Sequence, residues 1–458
     1  MNGRRLRDAA TAFLIIATRI CAAESEHTPP IRNAAYMNPF FEKLAKLETT
    51  KTGKVSIAHI GDSHVQADIF TDATRGPLQQ RFGDGGRGFV FPYNRNKASA
   101  RRPYNFATNA EWRICRNSQT SRCDSGAEFG LSGYGFSAKT DLLALSVEAR
   151  EAEYDFNTIK VVAPTASSYR LAVADGDKNP IAYNETQSIK IHKVKRGETP
   201  DNIAKLYNVP VAAIKSENKL KSNSVQVGRN LRIPITTVES GVDTALFSPV
   251  DFQCENRYVL SFHQAKPMSA IYILGAPKQD IFNINGLIVE NDTPGLIYHT
   301  VGSVGATAGN FNATPLFFEQ LPALRPDLVV ISFGTNESYG KLSTEAFMES
   351  MRLLIDNVKK RCGDTPILIT TPPFSLLRHK RWNTYAENYS EAITRMDGVA
   401  VWDLYAFTTG LIKPDGNLTE LKISKDNVHY TIDGYVNQGT AFADALLDEY
   451  DRYKRSDQ

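Results

Sequence analysis

At 458 residues, with 22% charged and 42% apolar residues and a net charge of +3, the chain has the composition of a soluble globular protein and is too long for one ordinary core. That charge balance gives no case for nucleic-acid binding. The five cysteines have no metal-type spacing and the eight histidines form no H-E-x-x-H, so neither a metal nor a cofactor is expected.

The N-terminus reads as an export signal over 1–23. Arg4, Arg5 and Arg7 precede an apolar stretch, Ala9–Ile20, and Cys21-Ala22-Ala23 offers small residues for cleavage. Arg19 interrupts the stretch, and an amphipathic helix is the alternative reading. The stretch is too short and too charged for a permanent anchor, so no membrane span is expected in the mature protein. Export implies an oxidising compartment, where Cys115 and Cys123 can pair; two free thiols are the alternative. Cys254 and Cys362 lie in apolar or helix-end settings and read as inert.

Asn38-Pro39 reads as the cap and first residue of a helix, with Phe40, Leu44 and Leu47 at helical spacing. Val55 to Ile60 is a short apolar run, hence a buried strand, and Gly61-Asp62-Ser63-His64 follows where the chain leaves the sheet. Residues 83–105, rich in Gly, Arg, Tyr and Phe, read as a loop that lines a cleft or merely covers the surface. From 126 to 290, short β-branched runs such as Thr158–Ala163, Ser168–Ala174, Tyr258–Phe262 and Ala270–Leu274 read as strands of an all-β module. A different segment, 187–237, interrupts it.

From about 295 strands alternate with helices. Asp327–Phe333, Pro366–Thr370 and Val399–Leu404 read as strands. Ser343 caps a helix with Phe347, Met351, Leu354, Ile355 and Val358 on one face, and Asn383–Met396 is helical with Tyr385, Tyr389 and Ile393 together. Thr431 caps a final helix carrying Val436, Ala443, Leu446 and Leu447. This alternation implies a parallel sheet with helices on both faces, begun by the strand that ends before Ser63. The expected domains are therefore an α/β domain in two parts, 38–125 and 291–452, a β-sandwich-like module at 126–290, and the nested unit at 187–237.

Serine needs a base to take its proton, a carboxylate to orient that base, and donors for the developing oxyanion. Asp426-Asn-Val-His429 places a carboxylate three residues before a histidine on a tight turn, leaving Nε2 for a serine. Asn336, in Gly334-Thr335-Asn336-Glu337 after a strand, can aim its amide at an oxyanion. The glycine-rich run Val301–Asn310 lets a backbone N–H approach closely. Asp62 reads as holding its turn, Glu337 as a structural acceptor and His59 as a core histidine. His192, His263, His299 and His379 have no partner legible in the sequence.

Gly61-Asp62-Ser63-His64, a glycine near 305, Gly334-Thr335-Asn336 and Asp426-x-x-His429 resemble, in order, the four blocks of the SGNH (GDSL-type) serine hydrolases. The resemblance covers roughly 50–125 and 295–450. It implies a flavodoxin-like three-layer α/β sandwich, with Ser63 as nucleophile, His429 as base and Asp426 as its orienter. It also implies an oxyanion hole from the Ser63 N–H, the Gly305 N–H and the Asn336 side chain, with Gly302 and Gly309 as alternatives to Gly305. His64 stands where leucine is commoner and Glu337 where aspartate is commoner. Both departures resemble the branch with peptidoglycan O-acetylesterases, in which a β module also follows the first block.

Within 187–237, Thr199 caps a helix with Pro200 at its first position, Val211–Asn218 is a second helix, and Leu231–Ile235 returns as a strand. This β-α-α-β unit resembles a LysM domain at Val194, Gly197, Thr199, Ile203, Ala204, Tyr207, Ile214, Asn218, Val227, Gly228, Leu231, Ile233 and Pro234. The resemblance implies binding of peptidoglycan or another N-acetylglucosamine-containing glycan, with contacts near Gly197, Glu198, Thr199 and Pro200 and, across a groove, Ile214 to Asn218. Pro200 replaces the usual leucine and Glu198 the usual aspartate. Ten Lys/Arg against three Asp/Glu in 187–237 suit an anionic wall polymer, or simply a solvated face.

The expectation is an exported serine esterase, in the periplasm, cell envelope or medium, removing O-acetyl groups from a cell-wall glycan without a cofactor. An O-acetyltransferase, a lipid or thioester hydrolase, and a wall-binding protein with an inactive site remain alternatives.

Overall fold

The computed structural model describes residues 28–92, 103–123, 127–175 and 179–456. The expected export signal, 1–23, lies outside the described residues, as do 93–102 of the glycine-rich stretch.

The apolar run before Ser63 is the interior strand β1 (Lys54–Gly61). It lies between β2 (Gly295–Gly302) and β3 (Leu328–Ser332), and β4 (Ile367–Thr370) and β5 (Ala400–Trp402) complete a sheet of order β2-β1-β3-β4-β5 in which every pairing is parallel. This is a flavodoxin-like order, whose switch point lies between β1 and β3. The sequence alone marks no strand at β2, and only its last two residues, Val301 and Gly302, fall in the glycine-rich run.

Alternate residues of β1 serve opposite faces. Val55 and Ile57 pack with Phe40, Leu44, Phe82, Phe442 and Tyr450. Ala58 and Ile60 pack with Phe347, Met351, Leu354, Val358, Tyr389 and Ile393. The first layer is built from α1 (Asn38–Thr50), α3 (Phe70–Phe82) and the C-terminal helix Ile432–Ser456; between β1 and α3 lies a single turn, α2 (Ser63–Gln66). Truncating one such core leucine to alanine typically costs about 2–5 kcal/mol. Two helix details differ from expectation. A 3₁₀ turn, Ala34–Met37, precedes α1, so Met37 is the cap and Asn38 is already helical. In the last helix Val436 is 41% exposed, and Tyr435 and Phe442 take the buried stripe.

The β module holds two five-stranded antiparallel sheets. Leu145, Val147, Leu171, Ile271 and Ile273 from one meet Ile159, Val161, Leu260, Leu287 and Val289 from the other in one core. The module recruits strands well before 126: Gly88–Val90 pairs with Gly286–Glu290, and Tyr104–Thr108 pairs with Ala144–Ala149. Strands Gly88–Val90, Tyr104–Thr108 and Trp112–Arg116 thus pair within the β module, ahead of the expected boundary at 125. Cys115 and Cys123 form a disulfide with Cα atoms 5.5 Å apart. Cys254 is exposed and Cys362 half-buried at a helix end.

From this module two strands, Ile181–Lys193 and Asn230–Val242, run out as an antiparallel ribbon. At its end Val194, Ile203, Ala204, Ile214, Leu231 and Ile233 form a separate small core beneath helices Pro200–Tyr207 and Val211–Glu217. No helix among the described residues is long and apolar enough to cross a membrane.

Candidate active site

Ser63 is the first residue of α2, directly beyond the carboxyl end of β1. Gly61 is required there, because a Cβ would meet the Ser332 carbonyl at 2.7 Å. Asp62 caps the turn: its Oδ1 accepts from the His64 N–H at 2.9 Å. This fixes Ser63 at the open end of the sheet.

His429 arrives from the loop before the C-terminal helix. Its Nε2 lies 2.9 Å from Ser63 Oγ, and its Nδ1 lies 2.7 Å from Asp426 Oδ2. The other Asp426 oxygen accepts from the N–H groups of Val428 and His429 and from Ser424 Oγ. Burial works against the Asp426 charge, but the N–H groups and the imidazole outweigh it and hold the carboxyl well below the usual carboxylate range. With Nδ1 bound to a carboxylate, the proton sits on that nitrogen and Nε2 is left as an acceptor for a serine hydroxyl.

Asn336 comes from the helix Thr335–Tyr339 after β3, entered through Gly334 at φ 121°. Its Nδ2 donates to the Ala306 carbonyl at 2.9 Å and to Asp62 Oδ2 at 3.2 Å. Burial pushes the Asp62 carboxyl up to about 7, against the pull of the His64 N–H. Glu337 accepts from the Ala308 N–H at 2.8 Å and the Gly334 N–H at 3.1 Å, a structural acceptor that ties the second and third blocks together.

The three glycines differ. Gly302 ends β2, where a Cβ would meet the Gln66 backbone nitrogen at 2.3 Å, so its role is close packing. Gly309 lies inside the helix Ala308–Asn312. Gly305 sits in a turn at φ 74°, and among the described residues nothing accepts from its N–H. The loop closed by the disulfide supports this turn: Ser118 Oγ donates to the Val304 carbonyl, and Ser303 Oγ donates to Asn117 Oδ1.

His64 is a contributor whose role the sequence left unread. Its ring stacks on that of His429, centroids 5.2 Å apart, and its Nδ1 lies 3.0 Å from the Tyr435 hydroxyl. Burial, and then the neighbouring His429, push its pKa down to about 3. It therefore stays neutral and adds no like charge beneath His429. Its identity was visible at the first block, but its partner Tyr435 lies far along the chain. His59 is a core histidine between the Tyr298 hydroxyl and Ser332 Oγ, pushed down to about 3 by burial. His299 accepts from the Phe89 N–H, and His263 faces Asp292.

The LysM-like unit places Gly197, Glu198 and Thr199 at its surface. Thr199 caps the first helix, and Glu198 Oε2 accepts from the Lys195 N–H and lies 2.8 Å from His192 Nε2. Pro200 and Ile214 are buried. The Asn218 amide is engaged with the Ile214 and Arg232 backbones. These last three side chains hold the unit together, and Pro200 and Ile214, buried as whole residues, offer no surface to a ligand, against the expectation that they line the groove.

Comparison with known proteins follows the same division. Residues 288–436 match the GDSL-like Lipase/Acylhydrolase family, and residues 192–234 match the LysM domain. The first match includes Asn336, Asp426 and His429 and begins after Ser63, which follows β1 of the same sheet. No curated protein matches the chain in sequence. A solved structure described as "Peptidoglycan O-acetylesterase in action, 5 min" superposes over 90% of this chain and 96% of that one, at TM-score 0.58 and 18% identity, a likeness of fold. A lipase/acylhydrolase from Enterococcus faecalis superposes over 34% of this chain and 77% of its own, at TM-score 0.27 and 20% identity.

Proposed function

We propose that this chain, whose residues 288–436 match the GDSL-like Lipase/Acylhydrolase family and whose residues 192–234 match the LysM domain, is an exported serine esterase that removes O-acetyl groups from peptidoglycan. The carrying observation is the relay Ser63–His429–Asp426, at 2.9 and 2.7 Å, at the open end of a sheet whose insert ends in a LysM fold.

In this reading Ser63 Oγ attacks the acetyl carbonyl carbon as His429 Nε2 takes its proton. The oxyanion is held by the Ser63 and Gly305 N–H groups and the Asn336 amide. Collapse expels the sugar hydroxyl, which leaves with the proton from His429. Water then attacks the acetyl-enzyme, again giving its proton to His429, and acetate departs. The His429 side chain is 42% exposed and Asp426 52%, so water has open access to the base. Acetate release tests the reading: O-acetylated peptidoglycan is expected to yield free acetate without a sugar acceptor, and base-treated peptidoglycan none. Hydrolysis of small esters alone would refute the substrate.

The LysM domain is expected to govern capture of polymer and leave the chemistry alone. In the ribbon Gln187 pairs with Thr236 and Glu185 with Val238, so excising 188–237 leaves two ends facing each other across the ladder. A short Gly/Ser linker can join them. Tethering a binder raises the local concentration of polymer sites without altering the acyl-transfer barrier. The truncated enzyme should hydrolyse a small acetyl ester within about twofold of the full chain. It should be pulled down less by insoluble peptidoglycan and release acetate from it more slowly at low substrate. Equal loss of both activities in a folded protein would make the domain part of the active site; loss of neither would remove its glycan role.

A further inference from the structure

One surface feature beside the site has no part in the relay. Leu376–Leu377 and Arg381–Trp382 pair as a small hairpin, turned through His379 at φ 61° and Lys380 at φ 55°. Its base is tied to both halves of the site. The Leu376 N–H donates to the Asn427 carbonyl, inside the Asp426–His429 loop, at 2.9 Å. Asn383 Nδ2 donates at 2.9 Å to Ser338 Oγ, on the helix that carries Asn336.

The hairpin presents two kinds of group. Trp382 is 45% exposed yet held still: its Nε1 donates to the Tyr405 hydroxyl at 2.9 Å, and its ring packs edge-on to Phe374 at 4.7 Å. Arg378, His379, Lys380 and Arg381 are all exposed, and among the described residues none of their side chains has an ion pair or hydrogen bond. Lys425, on the adjoining loop, is exposed and likewise unpaired among the described residues. A fixed, half-exposed indole offers an apolar face to a sugar ring. Exposed cations around it, without counter-charges, attract an anion, and guanidinium groups can take a carboxylate by paired hydrogen bonds.

The geometry points to the hairpin 376–382 as a substrate-binding wall for a carboxylate-bearing glycan, with a sugar ring on Trp382 and a carboxylate on Arg378 and Arg381. This rests on the reading of the chain as a peptidoglycan esterase and narrows it: the preferred strand is an anionic one, with free stem-peptide carboxylates near the acetylated sugar. A neutral acetylated polysaccharide would find the indole but leave the cations unpaired.

The test is inhibition, which does not depend on acetate release from the polymer. Hydrolysis of 4-nitrophenyl acetate by the full-length enzyme is measured with soluble, de-O-acetylated peptidoglycan fragments as inhibitor, each variant referred to its own uninhibited rate. Fragments with free carboxylates should inhibit competitively, and the same fragments with amidated carboxylates should inhibit about tenfold less well. Arg378→Ser/Lys380→Ser/Arg381→Ser should lose that difference, Arg378→Lys/Arg381→Lys should keep the charge and so retain only part of it, and Trp382→Ala should weaken both fragments alike. Equal inhibition by free and amidated fragments, no inhibition at all, or an unchanged triple variant would each overturn the proposal. Absence of acetate release from O-acetylated peptidoglycan, with this inhibition pattern intact, would instead refute the esterase substrate.

Discussion

Ser63→Ala and His429→Ala are each expected to lower turnover of an acetyl ester by about three orders of magnitude or more, with little change in stability. The two groups act as one unit, since Oγ and Nε2 stand 2.9 Å apart, so the double variant should be scarcely slower than either single one. Ser63→Ala keeps the backbone N–H at 63, so a residual rate from the oxyanion donors should survive. His429→Ala leaves Asp426 without its partner, but that side chain is 52% exposed and stays solvated, so the fold should not suffer. Asp426→Asn keeps an amide oxygen for the N–H groups of Val428 and His429 but turns its NH2 to His429 Nδ1, which moves the ring proton to Nε2, so turnover should again fall, on the order of 10⁴-fold, with the loop intact. Steady-state kinetics on 4-nitrophenyl acetate and acetate release from O-acetylated peptidoglycan check both substrates. Near-normal turnover by purified Ser63→Ala would sink the nucleophile assignment.

The sequence was most legible where signals are local. The apolar run before Ser63, the periodic helix from Thr344 to Cys362 with its Ser343 cap, and the Thr199 cap all have short-range causes, and the structure has them in place. What escaped depends on distant partners. Helix Phe70–Phe82 contains Gly76 and Pro77, which by propensity argue against it. It forms because the C-terminal helix packs on it, close enough that a Cβ at Gly439 would meet the Phe70 carbonyl at 2.3 Å. Strands Gly88–Val90 and Tyr104–Thr108 are short, and they exist only through partners at 287–289 and 145–149. A buried charge cluster was equally invisible. Asp68 accepts from Arg75 at 3.1 Å and from Arg87, and although burial opposes its charge, those two cations hold it at about 2. In the site, residue types and order were readable, whereas the tie from Asp62 to Asn336 and the stacking of His64 under His429 required the fold.

Asn336→Ala is expected to cost on the order of a hundredfold in kcat with KM little changed, the usual effect of removing one oxyanion donor. In the resting site both hydrogens of Nδ2 are occupied, by the Ala306 carbonyl at 2.9 Å and by Asp62 Oδ2 at 3.2 Å. The longer bond is the one to be released or shared when charge develops on the substrate oxygen, since resting-state hydrogen bonds in active sites commonly tighten only in the reacting complex. The interaction is then made in the transition state and not in the ground state, which is why the loss falls on kcat. Asn336→Ala also strips a donor from the buried Asp62, so a thermal melt must accompany the kinetics. Asp62→Ala supplies the contrast, because it frees the Asn336 amide while leaving it in place. If Asn336 donates directly to the oxyanion, Asp62→Ala should lose clearly less turnover than Asn336→Ala at similar stability. Equal losses would make both residues supports of the turn, and a loss confined to KM would make Asn336 a residue that binds substrate.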